Sequence, residues 1–150
     1  MAGDSQTAGK AGKSAFSHAL LLLSRRDHSA AEMDDKLNQK YGREETDNAL
    51  SRLKKAGYLD DARLAAETVR KVRQGGKGAV YLRALLERRM VEREVLERTV
   101  REYEENGEKE AADSFMRKSR GRANAGALKR RGFSERAVEG LEGRDGIGGD

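Results

Sequence analysis

Cysteine, proline and tryptophan are all absent from this 150-residue chain, and aromatic residues make up only 5% of it. Without cysteine no disulfide framework or thiolate metal site can form, which suits a reducing compartment and leads us to expect a cytoplasmic protein. Without proline the chain lacks its strongest helix breaker. Its common residues are Ala, Leu, Glu, Lys and Arg, and no stretch alternates as a strand would, so local propensity points to α-helix. The longest apolar run is Ala19–Leu23, far below the roughly 20 residues that span a bilayer, so no membrane role is expected. With 36% hydrophobic and 38% charged residues, one thick core is excluded, whereas stacked helical triplets remain possible.

What is present is a pattern that occurs three times: a leucine, a basic residue three positions on, and a new helix soon after. It reads Leu37 to Gly42, Leu86 to Val91 and Leu128 to Phe133. Around it, Phe16, Ala19, Leu20 and Leu23 fall on one helical face, with Leu21 and Leu22 widening that face toward burial on two sides. Ser29 and Glu32 have capping-box spacing, Met33, Leu37 and Tyr41 mark the next helix, and Thr46, Ala49, Leu50 and Leu53 a third that stops at Gly57. Asp60 or Asp61 can cap the following helix, the Gly75–Gly78 turn leads to Leu82, Leu85 and Leu86, and Asn106–Gly107 ends the second triplet. The boundaries expected are a flexible tail over 1–13, three-helix repeats over 14–57, 58–106 and a shortened 107–141, and a second flexible tail over 142–150. The fold class is all-α, an elongated array of three tandem three-helix repeats.

Thirty-one Lys and Arg against 26 Asp and Glu leave a net charge of +5, unevenly spread. Five basic residues and no acid lie between Arg70 and Leu86, seven and no acid between Arg117 and Arg131, and six acids between Glu102 and Asp113. Such clustering suits an acidic partner. The candidate contact residues are Lys77, Arg88, Arg89, Arg93, Arg117, Lys118, Arg120, Arg122, Lys129, Arg130 and Arg131. Aromatic interleaving is missing, which argues against stacking of single-stranded bases.

Catalytic patterns are weak. Thr7–Ser14 comes within one residue of a phosphate-binding loop, but only six residues precede it and no strand feeds it. His18 and His28 stand ten residues apart without metal-ligand spacing and are read as solvated or helix-end side chains. Neighbouring acids such as Asp34–Asp35 point about 100° apart on a helix and cannot share a proton as a catalytic pair does. No nucleophile set can be assembled, so no enzyme activity and no cofactor are expected.

Gly57-Tyr58-Leu59-Asp60-Asp61-Ala62-Arg63-Leu64-Ala65, followed by Val69-Arg70 and by Gly78 to Leu86, resembles the central segment of the RecX family of bacterial regulatory proteins. Leu20 to Ser29 resembles the opening segment of that family and Leu128 to Ser134 its closing one. The resemblance implies three tandem three-helix repeats, in agreement with the periodicity. It also implies a protein, expected to act as a monomer, that binds the RecA recombinase filament on DNA. There it would restrain filament growth, ATP hydrolysis and strand exchange, and so regulate homologous recombination, DNA repair and the SOS response. The basic joints would face acidic filament surface or single- or double-stranded DNA. Gly57, Tyr58, Leu59, Asp60 and Asp61 would be a structural repeat joint. The chain departs from the family at Leu64, commonly Phe, at Leu85, commonly acidic, and at Met90, where a glycine usually opens the turn.

Two other readings make different predictions. A free-standing module of helix-turn-helix type would bind duplex DNA without RecA and with steep salt dependence. A nucleotide-dependent enzyme built on Thr7–Ser14 would turn over ATP alone and lose that activity on removal of Met1–Lys13.

Overall fold

Ser14 opens the first helix from just outside it. In the computed structural model, which describes residues 14–148 and side chains through Leu141, its hydroxyl accepts the Ser17 N–H at 3.2 Å, and Ser17 accepts the Ser14 N–H at 3.0 Å. This reciprocal cap satisfies two amides that the first turn of a helix cannot pair internally. It starts α1 (Ala15–Arg25). The Ser29–Glu32 box works the same way for α2 (Ala30–Tyr41), with bonds of 3.1 and 2.9 Å.

Gly42, at φ +82°, turns the chain into α3 (Arg43–Lys55), and Gly57, also at +82°, turns it toward α4 (Asp61–Gln74). The Asp60 carboxylate caps α4 by accepting the Arg63 N–H at 3.1 Å. Then come α5 (Ala79–Arg88), α6 (Arg93–Asn106), α7 (Glu108–Lys118), α8 (Ala125–Arg130) and α9 (Glu135–Gly148). Among the described residues there are nine helices and no strand, falling in order into three triplets. The P-loop-like Thr7–Lys13 and the expected N-terminal tail lie outside the described residues. Helix α9 runs to Gly148, past the boundary at 141 expected from the sequence. Its glycines each lower helix propensity by about 1 kcal/mol, yet none blocks a helical hydrogen bond as proline would.

The chain forms two compact units. The first holds residues up to Leu64 together with Arg89–Glu92, and the second holds Ala65–Arg88 with the chain from Arg93 onward. In the first, Ala15, Ala19, Met33, Leu37, Ala49, Leu50, Leu53 and Leu59 make the core, with Phe16, Leu20, Leu22, Leu23 and Tyr41 against it. Leu21, expected to share that burial, is 40% exposed. At about 100° per residue it turns away from the face that its neighbours bury. In the second unit the buried set includes Val72, Leu82, Leu86, Leu96, Val100, Tyr103, Leu128, Phe133 and Val138.

All three repeated leucines, Leu37, Leu86 and Leu128, are sealed, at 0, 0 and 1% exposure. Each contributes about 1.5–3 kcal/mol by burial. Each sits near the end of a middle helix, so the residue a turn later is delivered to the bend between second and third helices. No helix among the described residues is long and apolar enough to cross a membrane.

Candidate functional site

Helix N-termini carry unpaired N–H groups and partial positive charge, and a carboxylate answers both. Asp61, the first residue of α4, does so for two further helices. One oxygen accepts the N–H of Ala30, first residue of α2, at 2.9 Å, and the other accepts the N–H of Glu92, just before α6, at 2.8 Å. In the second unit Glu108, first residue of α7, takes the equivalent place. Its Oε2 accepts the N–H of Ala79, first residue of α5, and the N–H of Ser134, just before α9, both at 2.8 Å. Its Oε1 accepts the Ser134 hydroxyl at 2.5 Å. In each unit one carboxylate thus gathers backbone N–H groups that lead into helices. At the first triplet the roles invert, and Glu45 of α3 accepts the N–H of Ala15 at 2.8 Å.

The candidate cations divide around these joints. The Arg89 guanidinium is drawn inward, donating to Glu32 at 3.1 Å and to the Asp27 carbonyl at 2.7 Å, while the Ser29 hydroxyl donates to the Arg89 carbonyl at 2.6 Å. Arg131 is its counterpart. Its guanidinium donates to the Gly75 and Gly76 carbonyls, both at 2.8 Å, and lies 4.4 Å from the centre of the Phe115 ring. Both arginines therefore spend their donors inside the protein. The Lys77 ammonium stands 5.0 Å from the Tyr81 ring, and its carbonyl accepts the Tyr103 hydroxyl at 2.6 Å.

Arg93 pairs with Glu97 at 3.3 Å on the surface. Arg122 donates to the Ser119 carbonyl at 3.1 Å, in a turn where Arg120 takes φ +55°. Arg88, Arg117, Lys118, Arg120, Lys129 and Arg130 are exposed. Within Gly57–Asp61, Leu59 is buried and Tyr58 exposed, and the Arg63 guanidinium donates to the Gly57 carbonyl at 2.9 Å.

Several functional groups were not identified from the sequence. A groove of about 650 Å³ runs between α4 and α7 of the second unit, where Arg70 and Arg73 join Arg117 and Lys118, with Glu110 and Asp113 among them. The acid-free window from Arg70 was its signal, though periodicity alone did not pair that window with α7. Glu108, 1% exposed, left no local signal, because its partners lie 26 and 29 residues away.

His28 was expected to be solvated or at a helix end, and it lies just before the α2 cap yet is 4% exposed. Its Nδ1 donates to the Arg26 carbonyl at 3.0 Å, which leaves Nε2 as a buried lone pair with no partner. Burial, followed by the charge of Arg26, holds its pKa below the usual imidazole value. His18 meets the Tyr41 hydroxyl at 3.0 Å. Among the described residues no three His, Cys, Asp or Glu side chains converge as metal ligands do.

Residues 15–53 match the family model described as RecX, first three-helix domain. The chain is 41% identical over 75 residues to a "Regulatory protein RecX" of Thermus thermophilus, covering 50% of this chain and 52% of that protein. It is 38% identical over 74 residues to another of the same name from Legionella pneumophila, covering 49% of each. The chain thus matches about half the length of these relatives. Its fold matches the crystal structure of RecX from Lactobacillus salivarius with a TM-score of 0.70 at 17% identity, over 87% of this chain and 93% of that one. A second solved structure, of regulatory protein RecX, matches with a TM-score of 0.66 at 20% identity, over 85% and 71%.

Proposed function

We propose that this chain, which is similar to RecX proteins over about half of their length and shares their fold, is a RecX-family protein that binds RecA filaments on DNA and lowers their ATP hydrolysis, extension and strand exchange, as a non-catalytic regulator of recombination and repair. The observation that carries this reading, beside the family, is the set of exposed cations left over once the joints are built. Arg88, Arg117, Lys118, Arg120, Lys129 and Arg130 hold no internal acid among the described residues, and so their charge is available to a partner. Arg89 and Arg131 belong to the joints and shape that surface from beneath.

The test adds the purified chain to RecA on single-stranded DNA and follows ATP hydrolysis. Inhibition near one protein per few RecA subunits is expected. No inhibition at stoichiometric protein would sink the reading. Tight binding to duplex DNA without RecA, losing affinity steeply with salt, would favour the free-standing DNA module instead.

A further inference from the structure

We propose that the α4–α7 groove of the second unit is the surface that reads the protein part of the filament, and that it docks a carboxylate-bearing protein segment rather than a phosphate backbone. This rests on the RecA reading above and deepens it.

The two walls carry four exposed cations: Arg70 and Arg73 from α4, Arg117 and Lys118 from α7. Arg117 and Lys118 have no ion-pair partner among the described residues. Arg70 pairs with Glu67 at 2.5 Å and Arg73 with Glu110 at 3.0 Å, both on the surface. Exposed pairs of this kind are weak, so an incoming carboxylate exchanges for them readily. Val69 and Ala111 give the groove an apolar floor against which an aliphatic side chain can rest.

The decisive feature is the sign of the other lining groups. Glu110 and Asp113 stand on the same wall as Arg117 and Lys118. The groove is about one screening length across, so the charges within it act on one another. A phosphate chain brings uniform negative charge and would be set against both acids. A protein segment can place carboxylates beside the arginines and a lysine or arginine beside the acids, and fixed patterns of mixed sign are how protein surfaces select partners. The volume, near 650 Å³, admits a few side chains and falls within the range of ligand pockets.

The experiment measures two affinities for each full-length variant: for RecA filaments on single-stranded DNA, and for the same DNA without RecA. The doubly reversed Arg117→Glu, Lys118→Glu chain is expected to lose about tenfold or more in filament affinity while its affinity for bare DNA moves less than about twofold. Glu110→Lys supplies the sign. It adds positive charge, so a phosphate-reading groove would bind both filament and bare DNA more tightly, whereas a mixed-charge protein contact is weakened for the filament alone.

Unchanged filament binding by the double reversal, or a joint gain in both affinities from Glu110→Lys, overturns the proposal. If the unaltered chain does not bind the filament, the RecA reading itself falls, and the groove assignment with it. If it binds while the variants behave like it, only the groove assignment falls.

Discussion

Asp61 and Glu108 perform one task in two units, and the units around them are built from different materials. In the first unit the approach to the middle helix is made by side chains: the Ser29 hydroxyl donates to the Arg89 carbonyl, and Arg89 reaches Glu32 and Asp27. In the second, the Arg131 guanidinium holds the Gly75 and Gly76 carbonyls, but the closest approach is made by backbone. Gly78 N–H donates to the Arg131 carbonyl at 3.1 Å and Val80 N–H to the Gly132 carbonyl at 2.8 Å. A Cβ on Gly78 would lie 2.2 Å from the Phe133 Cα, so this approach exists only because the side chain is missing. A hydroxyl holds two turns apart at hydrogen-bond distance, whereas a glycine lets them touch. The same joint therefore rests on side-chain hydrogen bonds in one unit and on direct backbone contact in the other.

The largest test of that contrast is Gly78→Ala. Its Cβ collides with backbone that no rotamer change can move, so a loss of about 4 kcal/mol or more is expected from denaturant unfolding. Ser29→Ala, at the matching place in the first unit, removes a cap and one long-range bond and should cost only about 1–2 kcal/mol. Equal effects would break the comparison.

The carboxylates come next. Glu108→Ala strips acceptors from buried amides and should cost about 3 kcal/mol, while Asp61→Ala, in a more open site, should cost about 2 kcal/mol. Residue-resolved hydrogen exchange checks where the loss falls. Opening is expected near Leu86 and Leu128 for the first variant and near Leu37 and Leu53 for the second.

A smaller effect has the opposite sign. Met90 occupies φ +57° at the place where Gly132 takes +80° in the second unit. An L side chain there costs about 1–2 kcal/mol and Met90 is 44% exposed, so Met90→Gly should raise stability by about 0.5–1 kcal/mol. An unchanged or lower melting temperature would count against strain at this turn.

The least change comes from pH, and it concerns the first unit. Burial pushes the Glu32 carboxyl up, but hydrogen bonds from Arg89 and from the Ser29 N–H outweigh this and hold it below the usual carboxylate range. Such a depressed acid stabilises the fold above its unfolded pKa, near 4.5, and that stabilisation is lost as pH falls through the folded value. The pKa of His28 is also lower in the folded chain. As pH falls below about 6.5 the unfolded chain takes up the proton first, so stability declines again. Both groups act in one direction. A His28→Phe, Glu32→Gln chain should show a flatter dependence between about pH 7 and 3, and an equal slope would remove these two groups as its source.

Much of the fold was legible because its signals are local. The Ser29–Glu32 cap, the glycine stops at Gly42 and Gly57 and the repeated leucines each act within a turn or two, and all appear where expected. The arginines were read less well. Arg130 and Arg131 are neighbours of identical chemistry, yet Arg130 is exposed while Arg131 holds two carbonyls 55 and 56 positions away. Position on the turn separates them, and no composition window records that. Glu108 sits in an acidic stretch that reads as solvated surface, because its charge is balanced by amides rather than by cations. In the unusual case of Met90, a departure from the family pattern coincided with a left-handed backbone.

The spacing of the carboxylate bonds has a consequence for how the chain matures as it is made. The first amide of α2 waits 31 residues for Asp61, and that of α5 waits 29 for Glu108. The middle helices α2 and α5 are each capped by the opening residue of the triplet behind them, so each cap can form only once that residue has been made. A chain halted after Lys55 would hold α2 with its leading amide still facing water, and the arrival of Asp61 would act as the signal that the first triplet can lock.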